Sequence, residues 1–118
     1  MKIYHAHIYF DSTNCESLKE LILEISNQKD NIFKFHKLYS DKVGPHALPM
    51  IELHFGVYNK FEVIEWLSLH RRNLSVLIHE DTGNDVQDHL EPMWLGQELP
   101  IDFTFFSKIQ LDPSLSVH

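Results

Sequence analysis

The order of two residue periodicities limits what this chain can fold into. Lys2 to Phe10 alternates, with Tyr4, Ala6, Ile8 and Phe10 on one side and His5, His7 and Tyr9 on the other. A helical stripe follows: Cys15, Leu18, Leu21, Ile22 and Ile25, with Thr13 and Glu16 at capping-box spacing ahead of it. Period two returns over Ile32–Tyr39 and Met50–Val57, where Ile51, Leu53, Phe55 and Val57 alternate with Glu52 and His54. Phe61, Ile64, Trp66, Leu67 and Leu69 mark a second helix behind Asn59, and Leu74–Glu80 a fourth strand. Asp81–Asn84 reads as a turn, Val86–Leu95 as a short helix limited by Pro92, and Ile101–Phe106 as an extended segment.

Strand, helix, strand, strand, helix, strand is the order of the ferredoxin-like split βαβ fold, βαββαβ. This α+β class expects an antiparallel four-stranded sheet with both helices on one face, strand one between strands three and four, and here a C-terminal extension. The apolar strand faces must meet the helices. The opposite face then carries His5, His7, His36, Glu52, His54 and His79, with Tyr9, Leu38, Met50 and Leu77 between them. A face so mixed needs a cover, either the C-terminal segment or a second subunit. Length favours one domain over residues 1–109, with 110–118 as a frayed tail.

Nine histidines in 118 residues are the unusual feature of the composition. Imidazole is the commonest transition-metal ligand and titrates nearest neutral pH. His5-Ala6-His7 sets two rings on one side of a strand, roughly 6.5–7 Å apart. His79 ends the strand that pairs with this one. Glu52 offers a carboxylate to a two-histidine set, an arrangement that leaves open positions on Fe(II). His46 stands in Gly44-Pro45-His46-Ala47-Leu48-Pro49, a loop stiffened by two prolines. Asp88 and His89 adjoin each other at a helix. His36, His70 and His118 show no supporting context and read as surface groups. A strand-end or surface histidine is the plain alternative at each of these positions.

Other functions fit less well. The net charge of −7 disfavours a nucleic-acid partner. One cysteine forbids an internal disulfide and fits a reducing compartment, and Cys15 on an apolar stripe reads as an inert thiol. No run is apolar enough for a membrane span or a secretion signal, so a cytoplasmic location is expected. Phosphate loops, nucleophile elbows and HExxH motifs are missing.

Taken together, several segments resemble the DOPA 4,5-dioxygenase family. They are Tyr4-His5-Ala6-His7-Ile8-Tyr9-Phe10, Val43 to Met50, Trp66-Leu67 with Arg71, Leu74 to His79, and Thr82 to Asp85 leading through Asp88-His89 to Trp94-Leu95-Gly96. The resemblance spans roughly residues 3 to 103. Two positions depart from it: Ala47 and Glu80 stand where the family usually has proline. The resemblance implies a non-haem iron(II) enzyme that opens a catechol ring, of DOPA or a related aromatic, with O₂, and that forms a homodimer. It places the family's histidines at His5, His7, His46, His79 and His89. On this reading His7, His46 and His79 are the metal ligands, with His5 and Glu52 in reserve. His5 and His89 are the acid/base groups, and Arg71, Tyr9 and His54 the substrate contacts. A zinc enzyme, or a non-catalytic module binding a small aromatic acid, stands as the alternative.

Overall fold

The structure is a computed structural model that describes residues 2–28, 30–90 and 92–105. Its elements are β1 (Ile3–Tyr9), α1 (Cys15–Asn27), β2 (Lys34–Tyr39), β3 (Met50–Gly56), α2 (Lys60–His70), β4 (Val76–Asp81), α3 (Asp85–Leu90) and β5 (Met93–Leu95). The sheet runs β2-β3-β1-β4-β5, antiparallel at every pairing. The first four strands and α1 and α2 thus follow the expected ferredoxin-like order, with β1 between β3 and β4.

Period two decides which side chains meet the helices. Tyr4, Ala6, Ile8, Ile51, Leu53, Phe55, Val76 and Ile78 pack with Leu18, Leu21 and Ile25 of α1 and Val63 and Leu67 of α2 in one buried cluster. Trp66 borders this core, its ring edge-on to Phe33 at 5.0 Å. The opposite face holds a smaller cluster of Tyr9, Met50 and Leu77, flanked by Val43, Leu48, Trp94, Leu99 and Ile101. Chain from 43–49 and 99–102 therefore covers that face. The cover is pinned by a bridge between His46 and Ile101 and by the Asp102 N–H donating to the Pro45 carbonyl at 2.8 Å.

Four expectations need correction. The stretch read as a helix over Val86–Leu95 is helical only to Leu90; Met93–Leu95 then pairs with β4 as a fifth strand. Pro92, with no N–H to donate, fits the break between them. Strand two begins at Lys34 rather than Ile32, and a register shift between Phe35 and Lys37 interrupts its alternation. Thr13 caps nothing: α1 starts at Cys15, and Thr13 donates to the Asp11 carboxylate while Asn14 accepts from the Asp11 N–H. Ile101 forms its bridge, but residues 104–105 turn helically. The expected tail over 110–118 lies outside the described residues.

Gly96 closes β5 at φ +78, and an added Cβ would stand 2.5 Å from Arg71 Nη1 and 3.3 Å from the Leu74 carbonyl. Gly83 has φ +87 with open space around it. On gaining a side chain, each would lose about 1–2 kcal/mol to left-handed backbone. Gly96→Ala also displaces the Arg71 guanidinium from Leu74, where it donates at 3.1 Å, so it should cost about 1 kcal/mol more than Gly83→Ala. Urea unfolding of the two variants measures the difference.

Candidate metal centre

Register assembles the polar face. His5 stands opposite His54 on one side and His79 on the other; His7 stands opposite Glu52 and Leu77. Because β1 is the middle strand, its two histidines receive neighbours from both flanks. His5, His7, His46, His79, His89 and Glu52 are all buried, with Glu52 and His7 at 0% exposure.

Four of the imidazoles close a ring. Centroid separations run 4.5 Å from His7 to His46, 5.3 Å to His89, 4.5 Å to His79 and 5.0 Å back to His7. β1 and β4 supply His7 and His79, the 43–49 loop His46, and α3 His89. Asp88 fixes α3 in place, its carboxylate accepting from the Thr82 N–H at 3.1 Å and from the Thr82 hydroxyl. Donor atoms of His7, His46 and His89 lie within 4.8 Å of one another, as do those of His5, His7 and His79. His7 belongs to both sets.

In two of these rings Nδ1 is hydrogen-bonded outside the ring of four, and in a third it faces a carboxylate. His79 Nδ1–H donates to the Glu80 carbonyl at 2.9 Å. His46 Nδ1 shares a 2.7 Å hydrogen bond with the Tyr9 hydroxyl. His7 Nδ1 lies 3.5 Å from Glu52 Oε1. Nε2 is the candidate ligand atom in each case. Metal-bound histidines show this pattern, the outer nitrogen held by a partner and the inner one bound to the ion.

The Nε2 atoms of His7 and His79 approach to 2.9 Å. Burial first, then the neighbouring imidazoles of His46, His79, His89 and His5, hold His7 well below the ordinary 6.5. Burial also lowers His79, to about 4. Both rings are therefore neutral near pH 7, with one N–H each, and His79 uses its own on Glu80. If His7 carries its proton on Nε2, its bare Nδ1 faces the Glu52 carboxylate. If it carries the proton on Nδ1, two lone pairs face each other at 2.9 Å. Either tautomer opposes lone pair to lone pair, and a cation between the rings relieves the conflict. The buried Nδ1 of His7 and Oε1 of Glu52 have no hydrogen-bond partner among the described residues. The donor set thus fits a divalent metal ion on chemical grounds.

The remaining residues singled out in the sequence fall as follows. His5 Nε2 lies 3.2 Å from Asp81 Oδ2, at the edge of the ring nearest His79, 5.2 Å between centroids. His54 sits beyond it, stacked on His5 at 4.0 Å and donating to Glu52 Oε2 at 2.6 Å. Tyr9 reaches the centre through His46, and burial pushes its phenol well above the usual value. Arg71 stays in the α2–β4 loop, donating to the carbonyls of Arg72 and Leu74, and is not brought into the cluster. Three features were not anticipated. His36, read as a plain surface group, stacks on His54 at 4.2 Å. Asp81 joins His5; its signal was its place two residues beyond His79 on the same strand face. The Tyr9–His46 bond joins segments 37 residues apart, with no local signal. His70, as expected, stays outside, stacked on Trp66.

Comparison with known proteins gives consistent matches. The family model described as Dopa 4,5-dioxygenase family matches residues 4–105. An uncharacterized 21.2 kDa protein of Botryotinia fuckeliana is 26% identical over 91% of this chain and 64% of its own length. A DOPA 4,5-dioxygenase of Amanita muscaria is 27% identical over 86% of this chain and 48% of its own length. The chain therefore spans about half to two thirds of these curated relatives. A crystal structure of a candidate dioxygenase from Nostoc punctiforme superposes with a TM-score of 0.82 at 26% identity, covering 92% of this chain and 94% of that one.

The neutral imidazoles predict a pH dependence. The folded-state pKa of His79 is depressed, so its contribution to stability is present above the unfolded value of 6.5 and is lost as pH falls towards about 4. For His79 alone the loss amounts to about 3 kcal/mol, and His7 acts in the same direction. Urea unfolding of chelator-treated protein between pH 7.5 and 4 should show stability falling with acid, and His79→Gln should flatten part of the slope.

Proposed function

We propose, since the chain belongs to the Dopa 4,5-dioxygenase family, that it is a non-haem iron-dependent extradiol dioxygenase acting with O₂ on a catechol, DOPA or a related aromatic. The observation that carries this reading is the convergence of buried imidazole donor atoms around His7, whose Nε2 lies 2.9 Å from that of His79. The Amanita muscaria relative named DOPA 4,5-dioxygenase supports the substrate class.

His7, His46 and His79 are the proposed ligands, drawn from the two donor sets that share His7; Tyr9 and the Glu80 carbonyl hold Nδ1 of His46 and His79 from outside, and Glu52 faces Nδ1 of His7. Iron bound there would supply a Lewis acid that lowers the pKa of a catechol hydroxyl, and the redox chemistry that O₂ requires. His89 completes the ring of four and is left for proton transfer: its imidazole takes a proton from a catechol hydroxyl and returns it to the opened product. His5 is a second acid/base group, its Nε2 3.2 Å from Asp81 Oδ2. Tyr9 keeps its proton at neutral pH, orients His46, and stacks at 5.9 Å on Trp94. Leu77, Met50 and Tyr9 exclude water from that side of the centre.

Protein stripped of metal and reloaded anaerobically with Fe(II) should convert DOPA or a simpler catechol to a yellow ring-opened product once O₂ is admitted. Absence of turnover across a panel of catechols would defeat the reading, and activity restored by Zn²⁺ but not Fe(II) would replace it with a Lewis-acid enzyme. His7→Ala should purify without stoichiometric iron. His89→Gln should keep its iron and lose about 10²–10⁴-fold in kcat, measured under saturating catechol.

A further inference from the structure

The ring of four leaves a second set of donors on the same sheet face. Glu52 is fully buried, but the groups around it lead outwards. His5, His54 and His36 form a ladder of nearly parallel rings, 4.0 and 4.2 Å apart with interplanar angles of 10° and 15°. His54 Nε2 lies 2.6 Å from Glu52 Oε2, and His36 Nε2 lies 3.6 Å from the same oxygen. The side chains of His54 and His36 are 25% and 42% exposed, so the ladder reaches solvent. The register shift between Phe35 and Lys37 brackets His36, the outermost ring of this ladder.

We propose that Glu52, His54 and His36, with His5 as the inner member, form a second binding site for a divalent transition metal, separate from the ring of four. Two observations carry it. One donor atom each from His5, Glu52 and His54 lies within 4.8 Å of the others, the two-histidine, one-carboxylate combination that suits iron, zinc and related ions. Glu52 is fully buried and its ion-pair partners among the described residues are all histidines, His7, His36 and His54, so no fixed positive charge is seen to balance a carboxylate whose burial is costly without one. The carboxylate lies between the two sets, Oε1 towards His7 and Oε2 towards His54, and so screens one cation from the other. On this inference His54 takes a metal-ligand role in place of the substrate contact expected from the sequence, and His5 takes one in place of its acid/base role, which falls to His89 alone. The inference goes beyond the dioxygenase reading and does not require the ring of four to be filled.

Metal stoichiometry tests it. Chelator-stripped protein is titrated anaerobically with Co(II), followed by visible absorption, and the equivalents retained after gel filtration are counted by elemental analysis. Wild type should bind two equivalents per chain. The double variant His36→Ala/His54→Ala should bind one, with the ring's absorption unchanged. Both side chains reach solvent, and circular dichroism verifies the fold. Glu52→Gln, which keeps the volume, should weaken the outer equivalent by at least about tenfold. One equivalent in wild type, kept by the double variant, overturns the second site and leaves the ring of four intact. Two equivalents that both survive the double variant overturn it as well. No binding by wild type overturns both this site and the iron reading.

Discussion

The pairing of β1 with β3 on one side and β4 on the other is the constraint on which everything else rests. It aligns His54, His5 and His79 in one row across the sheet, and Glu52, His7 and Leu77 in the next. Since side chains alternate with period two, a one-residue slip in either pairing would turn one strand's polar residues into the helix-facing core and its apolar residues outwards. The buried apolar cluster on the helix side opposes such a slip. The hydrophobic layer thus sets the position of imidazoles on the far side of the sheet.

What the sheet assembles is electrostatically unfavourable. Gathering buried imidazoles favours their neutral forms, through desolvation and mutual repulsion. Neutral rings have lone pairs to offer, and here the outer partners fix which nitrogen offers them. At Glu80 the side chain is immaterial to this role. Its backbone carbonyl holds His79, so the departure from the family's proline at that position leaves the interaction available. Tyr9 likewise acts twice, as an apolar wall beside Trp94 and as the partner of His46.

The face-forming pattern was legible because it is local. Tyr4-His5-Ala6-His7-Ile8-Tyr9 states its two sides outright, and strand order followed from counting periods. The short strand at Met93–Leu95 was not legible, because three residues cannot display a period and the preceding helix supplied a stronger one. His36 looked uninformative, since what places it is a register irregularity against β3 that only the paired strand reveals. Thr13 and Glu16 matched a capping box, yet the Asp11 carboxylate took Thr13 first, a competition between neighbours that spacing alone does not decide. Arg71 shared a segment with family-like residues, but its guanidinium found carbonyls closer to home.

The bridge between His46 and Ile101 couples the centre to the order in which the chain can organise itself. His7 and His79 are separated by 72 residues, and His46 is held by chain that lies far beyond it in sequence. No fragment that has formed only its nearby contacts can chelate an ion through this ring. Such long loops must close before the ligands meet, which places the centre late in folding. A cation that prefers the assembled ring to scattered imidazoles would draw the equilibrium towards the complete topology, so that loading adds to the stability of the native shape.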